Sequence, residues 1–150
     1  MLLVLDGVQD PHNLGACIRT LNGAGGDGVI VPKDRSSPVT SVVHKTASGA
    51  IEKTPVYTVT NLSRTLQQLQ QECGLWVIGT SDKADKNLYQ VDFTVPFALV
   101  LGTEGKGIRR LVKEHCDELV SIPMQGSVSS LNVSVASGVC CYEALRQRQL

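Results

Sequence analysis

Short, continuously apolar segments alternate with helical segments along the whole of this 150-residue chain. An apolar run without polar alternation is typical of a strand that is covered on both faces, as in a parallel sheet. Alternation of such strands with helices indicates an α/β domain. We therefore predict one α/β domain, with a mainly parallel, six-stranded sheet that is flanked by helices.

The predicted elements follow one another closely. The third helix has the clearest signals, because Asn61 is a good N-cap residue and an apolar stripe at helical spacing follows it. The strands are predicted at residues 2–5, 29–31, 56–59, 75–79, 97–101 and 119–122, and the helices at residues 14–21, 42–50, 62–72, 107–116 and 132–149. In open sheets of this kind, ligands bind beyond the carboxyl ends of the strands.

The loop after the first strand leads into a helix through residues 5–19. Asn13 and Arg19 are six residues apart, which places them within about 120° of one another around a helix. They can therefore face the same ligand. The alternative is that Asp10 or Asn13 only caps the helix and that Arg19 is a solvated helix residue.

The loop after the fifth strand, residues 101–107, has three glycines in six positions. Such a loop can bring its backbone close to a ligand. It lacks the spacing of a Walker A loop, so it does not predict a P-loop nucleotide site. The alternative is a glycine-rich turn without a ligand.

The loop after the last strand, residues 125–137, is rich in serine and passes into a helix of small residues. A polar loop exposes backbone N–H and C=O groups, and a small-residue helix lets another chain segment approach closely. Both features suit a ligand pocket or a tight crossing of chain segments. The alternative is that the serine hydroxyls only bond the local backbone.

Gly23–Gly28 matches the dinucleotide-binding pattern G-x-G-x-x-G letter for letter. That pattern must follow a strand and open a helix, whereas this run follows a predicted helix and precedes a predicted strand. We interpret it as a helix stop and a turn. This reading excludes a nicotinamide-dependent oxidoreductase.

Composition narrows the function classes further. Lys plus Arg number 14 and Asp plus Glu number 14, which argues against a free-standing electrostatic nucleic-acid binder but not against an enzyme that acts on RNA with the help of another domain. The five cysteines form no C-x-x-C pair and the three histidines are isolated, so we expect free thiols in a reducing compartment and no metal. No apolar run reaches the ~18 residues of a membrane span, and we expect a soluble, cytoplasmic protein.

Taken together and in this order, residues 13–19, 101–107 and 122–144 resemble the three signature motifs of the SpoU (TrmH-like) branch of the SPOUT RNA ribose methyltransferases. The similarity covers essentially the whole chain. Residues 6–15 and 31–36 are most similar to the catalytic domains of members that methylate a guanosine ribose in bacterial 23S ribosomal RNA. Full-length members of that group also carry a small N-terminal RNA-binding domain, which this chain does not contain.

The resemblance implies S-adenosylmethionine-dependent methylation of a ribose 2′-hydroxyl in ribosomal RNA. It also implies a C-terminal trefoil knot that binds the cofactor, and a homodimer with the first and last helices at its interface. Cofactor contacts are implied for Gly102, Ile122 and Leu131, with Thr80 as a further candidate. The family's catalytic positions correspond to Asn13, Arg19, Glu104, Ser130 and Asn132.

The arginine that matches Arg19 is assigned the activating role in this family, in some cases as a base. A guanidinium stays charged near neutral pH, so we expect Arg19 to bind the neighbouring phosphate and to stabilise negative charge on the 2′-oxygen. We expect Asn13 and Asn132 to orient Arg19 and the loop. Glu104 is expected to anchor the second loop or hold the guanidinium, and Ser130 to contact the nucleotide or the Arg19 network.

Two functions remain as alternatives: a tRNA ribose methyltransferase of the same fold, and an inert RNA-binding assembly factor. The first is disfavoured because the chain ends at Leu150 without a long basic extension, and the second because the catalytic positions are intact. Two basic groups are candidate RNA contacts, although each residue could equally be solvated surface charge. They are Lys33, Arg35, Lys45 and Lys53, and Lys106, Arg109, Arg110 and Lys113.

Overall fold

The structure is a computed structural model, and it describes residues 1–149. The strands are β1 Leu2–Asp6, β2 Gly28–Pro32, β3 Val56–Val59, β4 Trp76–Thr80, β5 Phe97–Gly102 and β6 Glu118–Val120. The α-helices are α1 Pro11–Gly23, α2 Ser41–Ala47, α3 Leu62–Cys73, α4 Arg110–Glu114 and α5 Val133–Gln149, and 3-10 helices lie at Ala50–Glu52 and Leu88–Gln90.

The six strands form one sheet in the order β3-β2-β1-β5-β4-β6, and every neighbouring pair is parallel. This confirms the predicted α/β fold. The central strands β1 and β5 pair in register from Leu2 with Ala98 to Asp6 with Gly102. Their carboxyl ends therefore lie side by side, and so do the loops that follow them.

The core has two layers because successive side chains of a strand point to opposite faces of the sheet. Leu3 and Leu5 pack on the face that α1 and α5 cover, and Val4 packs on the face that α3 and α4 cover. The prediction of strands covered on both faces fails for β3, where Tyr57 and Thr58 are exposed. The reason is that β3 is an edge strand.

The fourth helix is shorter than the predicted 107–116. Gly107 has a φ of +66°, in the left-handed region, and Arg109 is extended, so the helix begins only at Arg110. The second helix ends at Ala47, before the predicted residue 50, because Ser48 adopts the left-handed conformation.

Other boundaries also differ from the prediction. The first helix begins earlier than residue 14, at Pro11, because Asp10 caps it by accepting a hydrogen bond from the His12 N–H. The last strand ends at Val120, before the predicted residue 122, because the next residue, Ser121, no longer pairs with β4 but with Asn87. The run of glycines at 23–28 connects α1 to β2, which confirms that it is a helix stop and a turn.

The chain after β6 returns from the edge of the sheet to its centre, where α5 packs beside α1. The segment between β4 and β5 forms hydrogen bonds both with the start of the chain segment that follows β6 and with the end of α5. The Ser121 N–H donates to the Lys86 carbonyl (2.9 Å), and the Gln147 amide donates to the Val91 carbonyl (3.0 Å). The trefoil knot stays a prediction. Within residues 1–149, no helix has the length and apolar character that a membrane span needs.

Candidate functional site

A cavity of about 270 Å³ opens at the carboxyl edge of the sheet. The residues expected to bind the cofactor, Gly102, Ile122 and Leu131, all line it, and so does Thr80. These residues are far apart in the sequence. They meet because the strands β4, β5 and β6, which precede the loops, end at the same edge of the sheet.

The cavity combines apolar side chains with free main-chain donors. Ile122, Met124 and Leu131 contribute apolar surface. In the described part of the chain, the main-chain N–H groups of Ile122 and Leu131 donate no hydrogen bond. A flat heteroaromatic base has apolar faces and acceptor atoms along its edge, so these residues fit the adenine of a nucleoside cofactor.

The glycine-rich loop after β5 folds back on itself. The Thr103 N–H donates to the Gly107 carbonyl (3.3 Å), and the Gly107 N–H donates to the Thr103 carbonyl (2.9 Å). A Cβ atom at Gly102 would overlap the carbonyl group of Gly107 and the nitrogen of Ile108. Position 102 therefore requires glycine because the backbone of residues 107 and 108 packs against it. The sequence suggested only a close approach of the loop to a ligand.

An ion pair between Asp6 and Arg109, which the sequence did not predict, fixes this loop. The Arg109 N–H donates to Oδ2 of Asp6 (2.8 Å), and Nε of Arg109 donates to Oδ1 (2.7 Å). The Asp6 side chain is completely buried. The pair ties the end of β1 to the start of α4, which closes the loop that carries Gly102. An aspartate at the end of an apolar strand was the one sequence signal for it.

The two asparagines of the predicted site meet at the starts of α1 and α5. Nδ2 of Asn132 donates to Oδ1 of Asn13 (3.2 Å), and Oδ1 of Asn132 accepts from the Ser134 N–H (2.9 Å), which caps α5. Asn132 directly follows Ser130 and Leu131, which line the cavity. The contact therefore places the start of α1 beside the cavity.

Arg19 lies elsewhere in the single chain. It is exposed on α1, about 9 Å along the helix from Asn13. It lines a separate surface groove with Lys53 and Tyr142. Of the five predicted catalytic residues, Glu104 and Ser130 line the cavity, Asn13 and Asn132 lie beside it, and Arg19 is not among its lining residues.

The cysteines contribute no reactive group to the site. Burial raises the pKa of the Cys17 thiol to about 11, and it raises the pKa of Cys116 and of Cys141 to about 12. These thiols are protonated at neutral pH and are poor nucleophiles. All five cysteines are free, and residues 1–149 hold no group of three or more His, Cys, Asp or Glu side chains that could bind a metal ion.

The model of the SpoU rRNA methylase family matches residues 1–142. Two curated relatives are both named 23S rRNA (guanosine-2′-O-)-methyltransferase RlmB. The one from Pseudomonas putida is 61% identical over 150 residues, and the one from Ralstonia nicotianae is 63% identical over 150 residues. In both comparisons the match covers 100% of this chain and 60% of the relative. The chain thus spans about 60% of the length of the curated relatives that it matches.

Two solved structures show the same fold. The SpoU methyltransferase AviRb from Streptomyces viridochromogenes, in complex with the cofactor AdoMet, has a TM-score of 0.92 and 29% identity, over 99% of this chain and 60% of that chain. The TrmH/SpoU tRNA modifying enzyme from A. aeolicus has a TM-score of 0.89 and 30% identity, over 99% of this chain and 75% of that chain.

Proposed function

Because this chain belongs to the SpoU rRNA methylase family, we propose that it transfers the methyl group of S-adenosylmethionine to a ribose 2′-hydroxyl of RNA. The substrate that we propose is a guanosine of 23S ribosomal RNA, the class named for both curated relatives. One observation carries the proposal: Gly102 at the end of β5, and Ile122 and Leu131 in the segment between β6 and α5, line a single cavity at the carboxyl edge of the sheet.

The cofactor supplies a methyl group that is already activated by a sulfonium leaving group. The main task of the protein is therefore alignment, which can contribute about 7–11 kcal/mol to lowering the barrier. Ile122 and Leu131 would hold the adenine through their apolar side chains and their free main-chain N–H groups. The Asp6–Arg109 pair holds the loop that forms the adjoining wall.

Arg19 acts on the RNA and not on the cofactor. Its guanidinium binds the phosphate beside the reacting ribose and stabilises the negative charge that develops on the 2′-oxygen. A guanidinium titrates above about 12, so Arg19 does not act as the base. Asn13 and Asn132 act as positioning residues, since they join the starts of α1 and α5. Glu104 and Ser130, which line the cavity, face the incoming nucleotide.

The active form is a homodimer that pairs the outer faces of α1 and α5. Val135 and Tyr142 of α5 are about half exposed, which leaves apolar surface on this face. Arg19 lies on the same side and outside the cavity of its own chain. In the dimer that we propose, Arg19 of the partner subunit completes the cavity, and both cavities are completed in the same way because a two-fold interface repeats each contact in both directions.

Three further features belong to the proposal. The return of the chain from β6 to α5 passes through a trefoil knot, which is supported by the contacts of the β4–β5 segment with both ends of that return. The chain acts as the catalytic domain of a longer protein whose RNA-binding domain lies outside it, as its balance of 14 basic and 14 acidic residues supports. The protein works in the cytoplasm, as a ribosomal RNA substrate supports.

The test is incubation of the chain with labelled S-adenosylmethionine and unmodified transcripts of 23S ribosomal RNA and of tRNA, followed by mapping of ribose methylation. The proposal predicts 2′-O-methylation of a guanosine in the 23S transcript. Label in tRNA alone would support the tRNA enzyme instead, and cofactor binding without transfer to either RNA would support the inert assembly factor.

A further inference from the structure

A second cavity, of about 350 Å³, opens between the starts of α3 and α4. Residues 60–63 form one side of it and residues 109–112 the other. We name it the α3–α4 groove. The short helix α4 separates it from the cavity lined by Gly102, Ile122 and Leu131, which we call the cofactor cavity. Lys113 lines the cofactor cavity, whereas Arg110 and Leu111 line the groove.

Arg110 supplies a nearly free positive charge to the groove. Its side chain is 81% exposed, and its contact with Glu114 joins Nη1 and Oε1 over 3.4 Å. An exposed ion pair of this kind contributes little to stability, so it does not explain why an arginine is at this position. The guanidinium is available to a ligand.

Arg109 supplies a second guanidinium, which is held in place. Its Nε and main-chain N–H both donate to the buried carboxylate of Asp6. In the described part of the chain, its terminal nitrogens donate no hydrogen bond. A guanidinium that is fixed on one edge is preorganised to bind a phosphate oxygen with the other.

The remaining lining suits a nucleotide more than a simple anion. Leu111 is 58% exposed and offers an apolar surface to a sugar or a base. Thr60 and Ser63 place hydroxyl groups on the opposite side of the groove. Positive charge, hydroxyl groups and one apolar side chain together match the sugar–phosphate backbone of a nucleic acid.

We propose that the α3–α4 groove binds the backbone of the RNA substrate next to the strand that enters the cofactor cavity. This inference rests on the proposed function, because it takes RNA as the substrate. The shared helix α4 explains the placement: an RNA strand held by Arg110 on one side of α4 continues past Lys113 on the other. The groove then positions the RNA and takes no part in methyl transfer itself.

The experiment measures the affinity of the chain for a radiolabelled, unmodified 23S ribosomal RNA transcript by filter binding over a series of salt concentrations. Arg110→Ala is expected to weaken binding about fivefold to tenfold at low salt and to reduce the slope of log affinity against log salt by about one. Arg110→Lys should keep the wild-type slope because it keeps the charge. The affinity for S-adenosylmethionine should not change in either variant.

Arg64→Ala is the matched control. Arg64 is also an exposed arginine in the first turn of a helix, but it does not line the groove. Equal losses of RNA affinity in Arg64→Ala and Arg110→Ala would overturn the proposal, because a general positive field would then explain both. The proposal would also be overturned if an Arg110→Ala variant with unchanged thermal unfolding bound the RNA with the affinity of the wild type.

The two proposals fail separately. If the wild-type chain transfers no methyl group to any RNA, the proposed function fails, whereas the filter-binding difference between Arg110→Ala and Arg64→Ala still decides on the groove. If methyl transfer occurs and the Michaelis constant for RNA is the same in Arg110→Ala and in the wild type, RNA binding by the α3–α4 groove is contradicted. The proposed function is then unaffected.

Discussion

At the scale of single residues, the loop after β5 depends on an ion pair between residues that are 103 positions apart. Asp6 is completely buried, and Arg109 gives it both a main-chain and a side-chain hydrogen bond. A buried carboxylate that loses its partner carries the full cost of desolvation. The pair therefore controls the stability of the loop as well as its position.

We predict that Arg109→Ala destabilises the protein by on the order of 3 kcal/mol, because it leaves the Asp6 carboxylate buried without its cation. The measurement is the free energy of unfolding in urea. Arg110→Ala removes the same side chain from an exposed position and is expected to stay within about 0.5 kcal/mol of the wild type. Equal stability of the two variants would contradict this role of Asp6.

Gly102→Ala is expected to cost about 1–3 kcal/mol and to lower the affinity for S-adenosylmethionine, because the new Cβ would meet the backbone of residues 107 and 108. Thermal unfolding and equilibrium binding of the cofactor check this. Gly126→Ala is the control, since a Cβ there meets nothing within 4 Å. The explanation is wrong if both substitutions are tolerated equally.

The strand pattern predicted that the loops after β1, β4, β5 and β6 would lie at one edge of the sheet, because parallel strands present their carboxyl ends there. Gly102, Ile122 and Leu131 were implied only by the family resemblance. The Asp6–Arg109 pair could not be predicted in this way. A contact between residues so far apart in sequence depends on the order of the strands, and no local pattern records that order.

At the scale of secondary-structure elements, the last helix is held at both ends. Asn132 caps its start. Near its end, Glu143 accepts hydrogen bonds from Arg146 and Gln147, and Gln147 in turn donates to the Val91 carbonyl. These contacts fix α5 against the segment that precedes β5.

The hydrogen bonds from Arg146, and then from Gln147, lower the pKa of Glu143 from 4.5 to about 2. A lowered folded-state pKa gives stability that is fully present above the unfolded pKa and is lost as the pH falls through the folded pKa. We predict that the free energy of unfolding falls less steeply between pH 4.5 and about 2 in Glu143→Gln than in the wild type. Urea unfolding across this range is the measurement, and identical slopes would contradict it.

Hydrophobic patterning predicted the six strands of the described residues, because burial on two faces leaves continuous apolar runs. The sequence also predicted the five α-helices, but not the 3-10 helix at Leu88–Gln90. It failed at the helix predicted for 107–116, where the left-handed Gly107 and the extended Arg109 delay the start to Arg110. It also failed at β3, whose edge position leaves Tyr57 exposed. The first difference comes from the conformation of Gly107 together with the hydrogen bond from the Arg109 N–H to Asp6, and the second from the position of β3 at the edge of the sheet.

At the scale of the whole molecule, the proposed knot and the proposed dimer could not be predicted from a sequence pattern, since periodicity carries no information on threading or symmetry. The proposed dimer makes a specific prediction for mixed subunits. Arg19→Ala alone should lower single-turnover methyl transfer by about 10²–10³-fold, because it removes a donor to the developing oxyanion, while cofactor binding stays intact.

We predict that Arg19→Ala subunits exchanged with Leu131→Asp subunits recover about a quarter of the wild-type rate, because half of the random dimers then have one site with an intact cavity and an intact arginine from the partner. The measurement is methyl transfer after subunit exchange. If mass spectrometry confirms the exchange of subunits and no methyl transfer is recovered, Arg19 acts within its own chain or the dimer is arranged differently.

Cofactor binding in the cavity is tested most directly by calorimetric titration of S-adenosylmethionine into the wild type, Leu131→Asp and Val128→Asp. Leu131 lines the cavity, whereas Val128 is a 63% exposed residue of the same loop and does not line it. We predict one bound cofactor per chain in the wild type and in Val128→Asp, and loss of binding in Leu131→Asp. A wild type that binds no cofactor, or equal losses in the two variants, would contradict it.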